Sequence, residues 1–282
     1  ETSEHNRLRD FEMADFDGDG AEDLAIATHD QGVVAVVWRK GDEWKAEEID
    51  RKADTFVHEI EIGDLDGDDK LEIYATPSQP NTSSGVDQGG KIVRYAWTGE
   101  KFERSEVVSL DTRHMKEILV ADVEGDGTDE LYAAVEAEMG EGLKIIDPVE
   151  IRRYDWKDGE YVESKVTEID DRFCRFLVAG DADGDGADEL VAAAFSSGVW
   201  VIEREGESWK PECIDTESGG FEHAAYLADM EDDGSLALYV ADDKGGVLRE
   251  YRYRDGEYAA KVIHRRLVPA EAMVWNITVA DL

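Results

Sequence analysis

The chain has 282 residues, with 30 Lys and Arg against 69 Asp and Glu, so its formal net charge is −39 and its pI is about 4.3. This acidic excess excludes nucleic-acid binding by phosphate neutralisation and attraction to an anionic membrane surface. The apolar runs are far shorter than the roughly 18 residues of a membrane-spanning helix, so no membrane insertion is expected. The excess acid indicates bound cations, a saline habitat, or both.

The first predicted elements are four short β-strands around an acidic loop. Apolar and β-branched residues predict strands over Phe11–Ala14, Leu24–Thr28, Val33–Trp38 and Trp44–Ile49. The loop between the first two strands reads Asp15-Phe-Asp17-Gly-Asp19-Gly-Ala-Glu-Asp23, and a tight turn at Gly41 joins the last two. Glycine suits this turn because it adopts positive φ without strain.

The same frame returns four more times along the chain. Later acidic loops begin at Asp64, Asp122, Asp181 and Asp229, spaced by 48 to 59 residues, and the tight turn recurs at Gly99, Gly159, Gly206 and Gly256. Residues 277–282, Ile-Thr-Val-Ala-Asp-Leu, resemble the entry to the third loop and begin a sixth repeat. The pattern therefore predicts an all-β fold, a β-propeller of four-stranded blades in one domain over residues 1–282. Either further blades are truncated at the C-terminal end, or this last strand helps to close the ring.

The acidic loops have the composition of a calcium site. Oxygen-bearing side chains at positions 1, 3, 5 and 9, with glycine at position 4 or 6, can wrap a hard cation. A helical calcium hand is rejected, because its twelfth position requires Glu and these loops have Ile26, Ala75, Ala133, Ala192 and Val240 there. About four structural Ca²⁺ ions are expected and a fifth should bind weakly, because Ala237 replaces the ninth-position carboxylate of the last loop. The predicted metal ligands are Asp15, Asp17, Asp19, Asp23, Asp64, Asp66, Asp68, Glu72, Asp122, Glu124, Asp126, Glu130, Asp181, Asp183, Asp185, Glu189, Asp229, Glu231 and Asp233.

This pattern resembles the FG-GAP/VCBS repeat family, calcium-loop propellers that include the head of integrin α chains and several fungal and bacterial lectins. The resemblance extends over essentially the whole chain. It implies a binding module that recognises a glycan or a protein and that is extracellular, periplasmic or on the cell surface.

A second set of residues lies six positions before the first Asp of each loop. These candidate ligand-binding residues, here called the ring, are Arg9, His58, Lys116, Arg175 and His223. Strand direction alternates within a blade, so the starts of the inner strands lie on the face opposite the acidic loops. A ring of basic side chains there suits an anionic group on a sugar or a protein. The alternative is that the ring only offsets the neighbouring acidic residues Asp10, Glu59 and Glu117.

The loops over 76–90 and 136–150 are the longest predicted on that face. Long loops on a rigid scaffold often carry specificity, although a neutral insertion gives the same pattern. Cys174 and Cys213 are predicted on the inner and outer strands of one blade, roughly 14 Å apart, and therefore as free thiols.

Three functions are compatible with these features. The favoured one is a calcium-stabilised binding module. The second is a polysaccharide lyase that uses His58 or His223 as acid/base on an acidic, uronate-containing glycan, and the third is a structural blade array within a larger surface protein. The sequence contains no nucleophile motif, phosphate loop or zinc-binding His pair, which favours binding over catalysis, and it carries no signal for oligomeric state.

Overall fold

The computed structural model describes residues 7–29, 31–53, 55–79, 89–220, 223–265 and 276–278. Within them the chain forms five four-stranded antiparallel sheets and one two-stranded hairpin. Over the same residues, no helix combines the length and the apolar character needed to cross a bilayer.

Each sheet is a blade whose strands follow the chain from the innermost to the outermost. Blade 1 consists of β1 (Leu8–Ala14), β2 (Asp23–Thr28), β3 (Val33–Lys40) and β4 (Glu43–Arg51). Blade 2 consists of β5 (Phe56–Gly63), β6 (Glu72–Ser78), β7 (Gly90–Trp97) and β8 (Phe102–Leu110). In blade 3, β9 (Met115–Ala121) and β10 (Glu130–Val135) precede a small hairpin of β11 (Glu138–Met139) and β12 (Ile145–Asp147), and then come β13 (Val149–Lys157) and β14 (Glu160–Ile169).

The last two blades repeat this plan without the hairpin. Blade 4 consists of β15 (Cys174–Gly180), β16 (Glu189–Ala194), β17 (Val199–Glu205) and β18 (Ser208–Asp215). Blade 5 consists of β19 (Ala225–Ala228), β20 (Ala237–Asp242), β21 (Val247–Arg254) and β22 (Glu257–Arg265). All four strands predicted for the first repeat are present, each longer by one to three residues.

The hydrophobic core lies between the blades. Each of four apolar clusters joins two consecutive blades, as where Val36 of blade 1 packs with Ile60 of blade 2. The second strands β6, β10, β16 and β20 are buried along their whole length, because both of their faces are covered. This stacking of four-stranded meanders is that of a β-propeller, and it confirms the predicted fold class.

The inner strand of blade 1 differs from the others in exposure. Phe11 and Met13 are 52% and 57% exposed, whereas Ile60 and Ile118, which occupy the position of Phe11 in the next two blades, are buried. A preceding blade covers that position in blades 2 and 3. Among the described residues, blade 1 has no blade before it.

Several smaller predictions can be compared with the structure. The five glycines of the tight turns all have positive φ, from +64° at Gly41 to +92° at Gly99. Both cysteines are free thiols. The predicted start of a sixth repeat falls mostly on residues 279–282, and most of the long loop of blade 2 falls on 80–88, outside the described residues.

Candidate functional site

The five acidic loops, numbered 1 to 5 along the chain, share one backbone conformation. In loop 1, Asp15 Oδ1 accepts hydrogen bonds from the N–H groups of Gly18 and Asp19 at 2.8 and 3.1 Å, and Asp15 Oδ2 accepts one from Gly20 at 2.8 Å. The chain thus curls around its first carboxylate. Equivalent bonds form at the first Asp of the other loops, Asp64, Asp122, Asp181 and Asp229.

Four of the loops bring carboxylate oxygens within 4.8 Å of one another. The groups are Asp15, Asp17 and Asp19; Asp64, Asp66, Asp68 and Glu72; Asp122, Asp126 and Glu130; and Asp181, Asp183 and Glu189. Of the other predicted ligands in loops 1 to 4, Asp23, Glu124 and Asp185 lie outside these groups. Loop 5, with Asp229, Glu231 and Asp233, forms no such group within the described part of the chain.

The donor set fits a hard cation. Asp17 Oδ1 and Asp23 Oδ2 in loop 1, and Asp66 Oδ1 in loop 2, are buried without a hydrogen-bond partner among the described residues. Burial also raises the pKa of Glu130 and Glu189 to about 7, which is the cost of placing carboxylates together in a poorly solvated position. A divalent ion would supply the missing partner, and an all-oxygen site suits Ca²⁺ or Mg²⁺. Loops 1 to 4 can therefore each hold a cation.

Basic side chains that the loop pattern does not indicate also contact these loops. Lys40 of β3 pairs with Asp17 and Asp19, Arg94 of β7 with Asp66 and Glu72, and Arg153 of β13 with Glu124 and Glu130. These basic residues on third strands were visible in the sequence. Their contacts depend on the register between the third strand and the loop.

The ring residues of blades 1 to 4 coincide with irregularities in the inner strands. Strand pairing skips Arg9, His58, Lys116 and Arg175, so each lies at a β-bulge, whereas His223 lies two residues before the start of β19. A bulge changes the direction of a side chain relative to a regular strand. All the ring residues are buried except Arg9, which is half-buried.

A carboxylate of the chain itself already pairs with two ring cations. Glu136, just after β10, lies 3.0 Å from Arg175 Nη1, 3.4 Å from Lys116 Nζ and 3.7 Å from His114 Nδ1. Burial alone would raise the pKa of Glu136, but Arg175 and Lys116 outweigh burial and hold it below its ordinary value. No sequence signal marked Glu136 beyond its place at the start of a long loop.

The two ring histidines have different surroundings. His223 is fully buried, donates from Nδ1 to the Ala194 carbonyl at 2.7 Å and accepts at Nε2 from the Ser218 hydroxyl at 2.6 Å. Neither ring nitrogen of His58 has a hydrogen-bond partner among the described residues. Burial, followed by the charges of Lys116 and Arg175, lowers the pKa of His58 well below its ordinary value, so its imidazole is neutral at pH 7.

The acidic neighbours of the ring bind the next blade. Asp10 Oδ2 accepts from Ile60 N at 3.0 Å, and Glu117 Oε1 accepts from Leu177 N at 2.8 Å. Glu61 Oε2 does the same for Val120 N at 3.4 Å. These carboxylates therefore hold consecutive blades together, in addition to any effect on the charge of the ring.

Half-buried aromatic side chains that the repeat pattern does not single out lie beside the ring. The rings of His29 and Phe56 stack with centroids 4.2 Å apart, and His29 is 5.0 Å from His58. In blade 4 the guanidinium of Arg175 lies 5.0 Å from the Phe173 ring. Phe56 and Phe173 both lie eight residues before their loops, a regularity that the sequence contains.

Comparisons with known proteins identify the repeat. Residues 15–75 match the family model of the FG-GAP-like repeat. Among solved structures, AofleA from Arthrobotrys oligospora matches with 11% identity over 92% of this chain and 89% of that chain, at a TM-score of 0.40. A triple arginine-to-alanine mutant of AofleA matches with 11% identity over 86% and 82%, at a TM-score of 0.41. No curated protein matches this chain. The matched residues run from loop 1 through loop 2, and this match confirms the resemblance to the FG-GAP repeat that the loop pattern predicts.

Proposed function

We propose that the protein is a calcium-stabilised β-propeller that works outside the cytoplasm, in the periplasm, on the cell surface or extracellularly, as a binding module for a glycan or a protein. The observation that carries the calcium part is the recurrence of clustered carboxylate oxygens in loops 1 to 4. Asp17, Asp23 and Asp66 support it, because each has a buried oxygen that finds no partner among the residues the structure describes, and a buried carboxylate oxygen needs one.

Calcium acts here as a structural ion. Each loop joins the two innermost strands of a blade, so a bound ion fixes the β-turn that positions those strands. It also removes the repulsion among carboxylates that lie within 4.8 Å of one another. Because the unfolded chain has no such site, the free energy of ion binding adds to the stability of the folded state.

The ligand is proposed to bind on the face opposite the loops. Arg9 is the most accessible ring residue, and the pairs His29–Phe56 and Phe173–Phe195 offer half-buried aromatic surface nearby. Aromatic rings with adjacent cations suit a ligand that combines an apolar face with an anionic group, such as an acidic sugar or an acidic peptide segment. Since Glu136 already pairs with Lys116 and Arg175, these two residues act mainly by fixing the shape of the face.

A second candidate function is lyase activity on a uronate-containing glycan. His58 favours it, because its imidazole is neutral, has no hydrogen-bond partner in the described part of the chain, and could accept a proton. His223 does not favour it, since both of its ring nitrogens are engaged. Incubation with a panel of acidic polysaccharides, followed by absorbance of unsaturated products, tests this candidate. Cleavage that His58→Ala abolishes would establish it, and no cleavage of any polymer would remove it.

The calcium part is tested by thermal unfolding with Ca²⁺, with Mg²⁺ and with chelator, together with ion counting by native mass spectrometry. We expect a calcium-specific rise in Tm and about four bound ions. Unfolding that is indifferent to chelator, with no ion retained, would contradict the proposal.

The ligand part is tested on an array of neutral and acidic glycans with the calcium-loaded protein. Arg9→Ala should weaken retention of acidic glycans, and Arg104→Ala, on the outer strand β8, is the matched control. Equal retention by the two variants would contradict a role in ligand binding for the face that carries the ring residues.

A further inference from the structure

Loop 2 contains cationic side chains where a metal ion would bind. The Arg94 guanidinium pairs with Asp66 and lies 2.5 Å from Glu72, so it bridges the third and ninth positions of the loop. Lys70 binds Asp68 at 2.7 Å. The Arg94 side chain is only 13% exposed, which makes its pairing with the carboxylates stronger than a surface ion pair.

Loop 3 has the same arrangement. Arg153 pairs with Glu124 and lies 3.2 Å from Glu130, again the third and ninth positions. Arg204, from blade 4, also reaches Glu124 at 2.6 Å. Two basic side chains therefore neutralise part of the charge of each of loops 2 and 3.

Loop 1 has a weaker version of this contact. Lys40 pairs with Asp17 and lies 2.6 Å from Asp19, but the Lys40 side chain is 49% exposed. Water screens an exposed pair, so Lys40 should hold its carboxylates less firmly than Arg94 does.

Loop 4 is the exception. None of its clustered carboxylates, Asp181, Asp183 and Glu189, forms an ion pair with the part of the chain that the structure describes. Arg204 belongs to the same blade but pairs with Glu124 of loop 3. Loop 4 instead borders an open cleft of about 420 Å³.

We propose that Lys40, Arg94 and Arg153 are internal counter-cations that compete with the metal ion, so that loop 4 fills first and loops 2 and 3 last. This inference rests on the proposed calcium sites. A calcium ion needs carboxylate oxygens at 2.3–2.6 Å, and a guanidinium hydrogen-bonded to the same oxygens must first leave. Within the described residues, loop 4 has no internal ion pair to break. The counter-cations also give the ion-free chain partial charge compensation in the other three loops.

The test is a calcium titration of the chelator-stripped full chain, followed by native mass spectrometry at each free calcium concentration. Asp183→Asn should remove the first ion to bind, and Asp66→Asn should remove a late one. Arg94→Met, which keeps an unbranched side chain but removes the charge, should tighten a late binding step by at least about tenfold. Arg104→Met in the same blade, whose partner Asp50 lies 3.1 Å away on the outer strands, is the control and should change no step.

Lys40→Met provides a second variant that does not depend on a buried side chain. It should tighten one step, by less than Arg94→Met does. If both variants bind calcium no more tightly than the wild type, the competition is refuted while the calcium sites stand. If neither the wild type nor any variant retains ions, the proposed function fails and this inference fails with it.

Discussion

Replacing Glu136 with Gln is expected to destabilise the protein strongly. The carboxylate pairs with Arg175 and Lys116, and all three side chains are at least nine-tenths buried. Removing one partner of a buried ion pair costs about 3–5 kcal/mol, because the other charge remains buried and uncompensated. Gln keeps one oxygen that can accept a hydrogen bond, so we expect a loss of stability at the lower end of this range, about 3 kcal/mol. For a chain of this size that corresponds to a fall in Tm of roughly 6–12 °C.

The measurement is urea unfolding in saturating calcium, followed by both tryptophan fluorescence and circular dichroism, since agreement of two probes supports two-state analysis. Glu163→Gln is the matched control. Glu163 pairs with Arg152 at 3.1 Å, but its side chain is 43% exposed, and an exposed pair contributes about 1 kcal/mol or less.

The double variant Lys116→Met with Glu136→Gln isolates the cause. If the destabilisation comes from a stranded cation, the double variant should lose less stability than the sum of the two single variants. Unfolding of Glu136→Gln at the same urea concentration as the wild type would refute the reasoning, because Glu136 would then not compensate the ring.

Three further outcomes are expected. Asp17→Ala should lower the number of bound calcium ions by one and leave the other sites occupied, as counted by native mass spectrometry. Burial raises the pKa of Glu117 well above its ordinary value of 4.5, so the protonated form of Glu117 favours the folded state. This contribution to stability is present in acid and is lost as the pH rises through the folded-state pKa. The calcium-free protein should therefore melt at a higher temperature near about pH 5 than near about pH 8, and Glu117→Gln should reduce that difference in differential scanning fluorimetry. Gly198→Ala should unfold at far lower urea than Gly206→Ala, because both have positive φ but only at Gly198 would a Cβ lie 1.7 Å from the Asp215 carbonyl oxygen; equal midpoints would contradict the geometry of that turn.

The strands and loops could be predicted because short segments determine them. The turn at Gly41 needs one residue with positive φ, and the curl of loop 1 needs one carboxylate that accepts from N–H groups three to five residues ahead. Both requirements lie within a few positions of the sequence. They recur in every repeat, so each copy supports the others.

The surroundings of the ring could not be predicted, because they depend on contacts between distant segments. Glu136 meets Arg175 only after β9, β10 and β15 have packed side by side. The β-bulges that contain Lys116 and Arg175 are irregularities of pairing, and no residue type in the sequence marks them. A periodic sequence therefore predicts where a ring residue lies along its strand, but not which atoms it contacts.

The inner strands connect the acidic loops to the opposite face, where the ring residues lie. This connection leads to a prediction about dynamics. Strands β5 and β15 each end one residue before the first Asp of a loop and span roughly 20 Å. Near the middle of each strand, an N–H group donates to a carboxylate of the preceding blade. Removal of calcium frees the loop end, so the amides of Ile60 and Leu177, bound to Asp10 and Glu117, should exchange faster with solvent deuterium. Val240 in blade 5 serves as the internal control, since loop 5 forms no carboxylate group among the described residues and should depend little on calcium. An equal increase at all three amides would mean that calcium stabilises the propeller as a whole, and that the loops do not act on their own inner strands.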